Sequence, residues 1–303
     1  MSGNRINIGI TGVEGLIGNH TRVLFHSDPH FKVFPCDREA FSDGDSLRDL
    51  VRRCDAIIHL AGMNRGDERV VAGTNIALNE RLISAFRDTK STPHVIFSSS
   101  THIDRDTAYG QSKRDCAEKL ARWAQESGAK FSNLILPNVF GEGGRPFYNS
   151  AVSTFCHQLA CSLEPRIEVD AEIVLMHAGQ VAELCRNVIL ECRVGEERPQ
   201  GVKLRVSEVL QQLRELLALY RRNIIPDLST PLGLELFNVL RFELFNSQKL
   251  IDLKLHSDDR GTLFEAVKTL HGGQSFVSTT NSGVTRGNHF HRKKLERFLV
   301  LSG

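Results

Sequence analysis

The sequence lacks a surplus of either charge: 38 Lys and Arg against 36 Asp and Glu leave a formal +2, without the basic excess that phosphate contacts to nucleic acid require. No nucleic-acid partner is therefore expected. It also lacks long apolar runs. No stretch approaches the roughly 18 apolar residues of a membrane span, and the opening MSGNRINIGITG leads from a short apolar run into glycines, unlike a signal peptide. Neither a leader nor a membrane anchor is expected. Cysteines are few and unpatterned: seven, an odd number, at 36, 54, 116, 156, 161, 185 and 192, with no Cys-x-x-Cys spacing. That excludes a disulfide framework or a cysteine zinc site and suits a reducing cytoplasm. Internal repeats and low-complexity segments are missing too. The remainder is a chain of 303 residues, 41% hydrophobic and 24% charged, the balance of a soluble globular protein with room for one large domain and a smaller one.

From Ile6 to about Leu136 short β-branched runs alternate with amphipathic stretches. The predicted strands are Ile6 to Thr11, Val33 to Cys36, Ala56 to Leu60, Val95 to Ser98 and Asn133 to Leu136. Helices are predicted at Leu47 to Arg53 and at Asn75 to Arg87, where Ile76, Ile83 and Phe86 share a stripe. Such alternation predicts an α/β fold, a Rossmann-like doubly wound parallel sheet covered on both faces. Helical stretches dominate from Asn149 to about Leu240, notably Gly179 to Cys192 and Val206 to Arg222, and predict a small substrate cap drawn mainly from 149–245. After Phe245 the texture turns all-β, with strands expected at Ile251 to Leu255, Thr262 to Val267, Gln274 to Thr279 and Arg297 to Leu301, broken by Asp-Asp-Arg-Gly, Gly-Gly and Asn-Ser-Gly turns. The predicted domains are 1–245 and 246–303.

Thr11-Gly12-Val-Glu-Gly15-Leu16-Ile17-Gly18 follows a predicted strand and opens a helix, the context in which a glycine pattern indicates dinucleotide binding. One glycine permits the tight turn, one lets the backbone approach a pyrophosphate and one allows close helix packing, while the helix N-terminus offers free N–H groups. Asp37 ends the second predicted strand, where an acid would hold an adenosine ribose hydroxyl and favour NAD. Arg38 follows it, and its guanidinium could pair with a 2′-phosphate, which favours NADP(H). Leu60-Ala61-Gly62 ends a later strand in small residues that let a cofactor lie close.

Tyr109-Gly-Gln-Ser-Lys113 opens a predicted helix and puts phenol and ammonium on one face, one turn apart. A lysine there is expected to lower the tyrosine's pKa towards the range of acid–base catalysis. Val95-Ile-Phe-Ser-Ser-Ser100 ends in hydroxyls at the carboxyl edge where open sheets bind ligands, and Ser100 could hold a carbonyl oxygen. Alone, Tyr-x-x-x-Lys is an ordinary surface pair; the order of the motifs gives it meaning.

TGxxGxxG, HLAG, FSSS, YxxxK and LPNVFG in that order resemble the extended short-chain dehydrogenase/reductase family, the NAD-dependent epimerases and dehydratases, over roughly residues 5–245. The resemblance implies that Ser100 and Tyr109 polarise and protonate a sugar ketone, and that Lys113 also binds the nicotinamide ribose. It further implies that Asn138 lines nicotinamide and substrate and that Asn75 lies near the cofactor. Arg145 could pair with the substrate diphosphate. The dehydratase branch has an Asp-Glu pair after the active-site hydroxyl, where this chain has Thr101-His102, so dehydration is not expected. The segment from Ser100 to Tyr109 is shorter than in typical epimerases of the family, which favours a reductase over an NAD-dependent nucleotide-sugar 4-epimerase. A catalytically silent dinucleotide-binding or sensing protein is the alternative of another class.

Gly283, His289, His291, Glu296 and Gly303 reproduce G(x5)HxH(x4)E(x6)G and resemble the first cupin motif. Residues i and i+2 of a strand share a face, so His289 and His291 can meet one cation, with an oxygen from Glu296. The second cupin motif is missing, and a truncated cupin is expected, with residues after about 250 poorly ordered or paired with another chain. A cupin behind a short reductase, with LAGMNR, LPNVFGEGGRPFYNS, IPDLS and TRGNHFH, resembles the family of bifunctional UDP-sugar reductase/3-epimerases of UDP-N-acetyl-L-fucosamine synthesis, which serve capsule and O-antigen. That likeness implies a UDP-sugar substrate, NADPH reduction at C4, C3 epimerisation by an intact cupin holding zinc or a similar divalent metal, and a homodimer. His177, in VLMHAGQVAE, departs from the aspartate-rich segment expected there.

Overall fold

The computed structural model describes residues 5–247, 253–270, 272–288, 291–293 and 295–302. They form two compact units: one within Met1–Glu215 and Leu228–Lys249, the other within Leu216–Asp227 and Leu250–Gly303.

The first unit alternates strand and helix from its start: β1 (Ile6–Thr11), α1 (Leu16–Ser27), β2 (Phe31–Cys36), α2 (Arg38–Ser42), α3 (Gly44–Arg53), β3 (Ala56–His59), α4 (Glu68–Thr89), β4 (His94–Ser100), α5 (Ala108–Ser127) and β5 (Phe131–Leu136). Beyond them come β6 (Asn138–Phe140), α6 (Ala151–Ala160), β7 (Glu172–His177), α7 (Ala178–Leu190), β8 (Gly195–Glu197), β9 (Val202–Arg205) and α8 (Val206–Arg221), which runs on into the second unit. After β10 (Ile224–Ile225), which belongs to the second unit, α9 (Pro231–Asn246) returns to the first.

β2-β1-β3-β4-β5-β8 form a six-stranded sheet, all neighbours parallel. Its central strands are apolar on both faces, as a sheet covered twice must be. On one face Leu47, Leu50 and Val51 of α3, Leu82, Ile83 and Phe86 of α4 and Leu120 and Trp123 of α5 pack on Ile57, Val95 and Phe97. On the other, Phe25 of α1 and Val181, Cys185 and Val188 of α7 pack on Ile8, Ile10, Ile58 and Ile96. The segment read as a substrate cap therefore also supplies a strand and a covering helix of the main layers, β8 and α7. Its β7 and β9 pair with β6, just upstream of the segment, in a separate three-stranded sheet. Strand order reverses between β1 and β3, and the crevice at such a reversal is where doubly wound sheets bind ligands.

In the second unit β11 (Leu255–Asp258), β12 (Gly261–Thr269) and β13 (Gln274–Ser278) form an antiparallel meander, and β10 pairs parallel with the end of β12. The expected Asp-Asp-Arg-Gly turn joins the first two; Gly261 takes φ +132°, and a Cβ there would sit 2.3 Å from the Thr279 carbonyl oxygen. The strand expected at Arg297 to Leu301 is not formed. These residues have no ladder partners among the described residues, and Phe298, Leu299, Val300 and Leu301 are exposed. Of the strand expected at Ile251 to Leu255, Ile251 and Asp252 lie outside the described residues, and pairing starts at Leu255.

Candidate active site

Gly12 follows β1 in the left-handed region at φ +68°, where a Cβ would come within 2.7 Å of the Ala61 nitrogen. A side chain would therefore push the two strand-end loops apart. At Gly18 a Cβ would stand 2.1 Å from the Gly12 carbonyl oxygen, so only glycine lets α1 pack against the turn. Gly15 caps α1 without any side-chain hydrogen bond to the helix, leaving the N–H groups of the first turn, with Leu16 and Ile17, open to an anion. The Thr11 hydroxyl accepts from Ala61 N–H at 3.2 Å and pairs with Nδ1 of buried His59 at 2.8 Å. Burial, with Lys113 nearby, pushes His59 down to about 3, so it is a neutral pillar beneath the turn.

Asp37 stands at the end of β2 as expected, and its carboxylate accepts from Ala40 N–H at 2.8 Å, capping α2. Arg38 is the exposed first residue of that helix. Asn75 is buried on α4; its amide accepts from Met63 N–H at 2.7 Å and donates to the Met63 carbonyl at 2.9 Å. It thus ties down the loop that carries Leu60, Ala61 and Gly62. A Cβ on Gly62 would meet the Asn75 Oδ1 at 3.2 Å and the Lys113 Nζ at 3.5 Å, so this glycine lets the loop after β3 lie close to α5.

Ser100 ends β4, and its hydroxyl accepts from His102 N–H at 3.3 Å and lies near enough to the Tyr109 phenol to act on its pKa. Thr107 caps α5 by accepting from Gly110 N–H, which fixes Tyr109 in the first turn. Lys113, buried one turn on, donates from Nζ to the Ser98 carbonyl at 2.8 Å and lies 4.7 Å from the centre of the Phe97 ring. Burial lowers it to about 8. The expectation that Lys113 lowers the tyrosine is corrected here. Burial pushes the Tyr109 phenol up to about 12, against the opposing hydrogen bond from Ser100 and with Tyr148 adding to the rise. The ammonium is turned to a backbone carbonyl, and desolvation of the phenolate wins.

Asn138 is exposed on β6 and donates to the Val174 carbonyl at 3.2 Å. Arg145 is exposed, its guanidinium 5.5 Å from the centre of the Tyr148 ring. Two contributors escaped sequence reasoning: Tyr148, felt by Tyr109, and His102, whose ring meets Tyr109 edge-on at 5.6 Å. His102, two residues after Ser100, could have been found by its position; Tyr148, far along the chain, had no such signal. His177 accepts from Gly179 N–H at Nδ1, so its proton lies on Nε2, which faces Glu142 at 2.9 Å. His20 Nε2 lies 3.0 Å from the Glu142 carbonyl oxygen, and the three residues tie α1, the loop after β6 and the end of β7 together. In the second unit His289 lies outside the described residues; His291 Nε2 is 3.2 Å from Glu296 Oε1.

A glycine turn at a sheet's switch point, followed by a strand-end serine and a helix carrying Tyr-x-x-x-Lys, defines a nicotinamide-dependent oxidoreductase of the short-chain dehydrogenase/reductase class. The chain belongs to the NAD dependent epimerase/dehydratase family, which matches residues 8–197. Residues 256–303, read above as cupin-like, match the Polysaccharide biosynthesis C-terminal domain. A protein of Pseudomonas aeruginosa named UDP-2-acetamido-2,6-beta-L-arabino-hexul-4-ose reductase is 33% identical over 300 residues, 97% of this chain and 80% of that one. The capsular polysaccharide assembling protein CapF from Staphylococcus aureus superposes with a TM-score of 0.82 at 25% identity, over 95% of this chain and 79% of its own. The NAD complex of UDP-glucose 4-epimerase from Thermus thermophilus shares the fold, with a TM-score of 0.61 at 17% identity over 70% of this chain and 84% of that one. No helix among the described residues is long and apolar enough to cross a membrane.

Proposed function

We propose that the protein reduces the C4 ketone of a UDP-4-keto-6-deoxy-N-acetylhexosamine with NADPH, in the cytoplasm and as a homodimer, in the synthesis of a surface polysaccharide precursor. The observation that carries this reading is the Ser100–Tyr109 hydroxyl pair with Lys113 behind it, beside the glycine cradle. The likeness to a relative named for reduction of a UDP-hexul-4-ose adds the substrate class.

The cradle fits a dinucleotide: Gly12 and Gly18 leave no room for side chains, and the first turn of α1 has uncapped N–H groups. Gly12, Gly15, Leu16, Ile17 and Gly18 would hold its pyrophosphate. The loop of Leu60, Ala61 and Gly62, stayed by Asn75, would lie against it, while Lys113 and Asn138 would reach the nicotinamide end. Arg38 would pair with a 2′-phosphate and favour NADPH over NADH, since Asp37 already spends an oxygen on capping α2. Bound nicotinamide supplies the hydride.

The chain's own residues handle the proton. Ser100 orients the ketone oxygen towards Tyr109. A phenol held at about 12 is fully protonated at neutral pH and serves as the acid for the alkoxide forming at C4. Lys113, still cationic below about 8 and held on the Ser98 carbonyl, would bind the nicotinamide ribose. Arg145 would meet the diphosphate. For an intact cupin C3 epimerisation is expected, with His289, His291 and Glu296 as the residues that would hold a zinc or similar ion.

Steady consumption of NADPH by the purified protein with the UDP-4-ketosugar, faster than that of NADH, is the expected result. Cofactor binding without consumption would overturn the reading.

A further inference from the structure

Cys161 caps the C-terminus of α6 and is exposed. Its Sγ lies 3.8 Å from Nε2 of His157, one turn back on the same helix. Nδ1 of that histidine is 3.2 Å from Oε2 of Glu243 on α9. The carboxylate accepts, so Nδ1 carries the imidazole proton and Nε2 turns a lone pair to the thiol. This is the tautomer that can take the thiol proton, in the nucleophile, base and orienting-acid order of an activated nucleophile. Side-chain exposures of 36% for His157 and 10% for Glu243 place the base at the surface with its acid beneath. Phe147 packs edge-on against the imidazole with ring centres 5.7 Å apart, which limits its rotation.

The helix end decides which charges are favoured. The C-terminus of α6 disfavours an isolated thiolate and favours a cation. Moving the proton from Sγ to Nε2 places positive charge in the last turn of the helix and beside Glu243, where a helix C-terminus and a carboxylate both attract it.

We propose that Cys161, His157 and Glu243 form a thiol–imidazole–carboxylate triad that makes Cys161 a site of thiol–disulfide exchange with small disulfides, apart from the reduction chemistry. Nε2 takes the Sγ proton and the thiolate attacks one disulfide sulfur. The new S–S bond forms as the old one breaks, and the departing thiolate takes the proton from the imidazolium. One protein thiol and one small disulfide become one mixed disulfide and one small thiol.

Cys192 provides the internal comparison, being exposed but without an imidazole beside it among the described residues. The whole protein is treated with glutathione disulfide at neutral pH, quenched with acid, and its peptides weighed. The mixed disulfide should form at Cys161 at least about tenfold faster than at Cys192. His157→Gln should bring Cys161 to the rate of Cys192, with Glu243→Gln between the two. Buried Cys36, Cys54, Cys116, Cys156 and Cys185 report whether a variant stays folded; where they react, the wild-type ratio alone decides. Equal rates at Cys161 and Cys192 in the wild type overturn the proposal, as does a folded His157→Gln variant whose Cys161 reacts at the wild-type rate.

Discussion

The sheet of the first unit and the meander of the second are built from similarly short strands but end in opposite states of burial. β3 is buried at every position and β1 over its last four, whereas all of β11 and β13 is exposed and β12 is mostly half-buried. The first sheet has helices on both faces supplied by its own connections. The strands of the meander are joined by short turns rather than by helices, and Phe276 and Val277 of β13 are exposed. Fixed chemistry follows burial: in the first unit Lys113 and Tyr109 have pKa values displaced by desolvation, which requires a closed core around them.

Four experiments can break or sharpen this contrast. The largest effect is expected on stability: Phe25→Ala should cost about 3–5 kcal/mol by denaturant unfolding, and Phe276→Ala, 44% exposed, under about 1 kcal/mol. Similar losses would mean that the meander is as well packed as the sheet. Next, Tyr109→Phe should lower turnover roughly 10²-fold or more while cofactor still binds. His291→Ala should leave ketone reduction within about twofold, placing the reduction chemistry in the first unit alone; a large loss there would spread it over both.

The third is a pH profile. Lys113 is lowered by burial from 10.5 to about 8, so turnover should fall as pH rises through about 8, with Tyr109 remaining protonated until about 12. Between about 8 and 10.5 the unfolded chain holds the lysine proton that the folded chain has lost, so this group's contribution to stability rises over the same window. Activity falling while Lys113's share of stability rises is the signature of a buried catalytic lysine; a profile flat to pH 10 would remove it from the mechanism. The smallest effect is cofactor choice: Arg38→Ala should reduce the preference for NADPH over NADH by roughly tenfold, the value of one charge-assisted bond. An unchanged ratio would assign the preference elsewhere.

Much of the first unit was legible because its constraints are local. A glycine turn between strand and helix, hydroxyls at a strand end and Tyr-x-x-x-Lys at one helical turn each carry their geometry within a few residues. What depended on three dimensions was not legible. The direction of the Tyr109 shift required knowing that Lys113 turns to the Ser98 carbonyl. Asn75 was placed near the cofactor, but that both amide atoms hold Met63 could be seen only in the fold. His157 and Glu243 are 86 residues apart, and nothing in either neighbourhood announces the pair. In the second unit the alternating pattern found β12 and β13 but overreached at Arg297 to Leu301, because alternation describes a strand's faces and not whether a partner strand exists.

The central claim is that this chain delivers hydride to C4 of a nucleotide-linked 4-ketosugar, with Tyr109 supplying the proton. The most direct test is to run the reaction with NADPH deuterated at the transferable position and locate the label in the sugar by NMR. Deuterium at C4, with one cofactor consumed per sugar reduced and no product from Tyr109→Phe at matched times, is the predicted result. Label absent from C4, or a sugar changed with no net cofactor consumed, would contradict it.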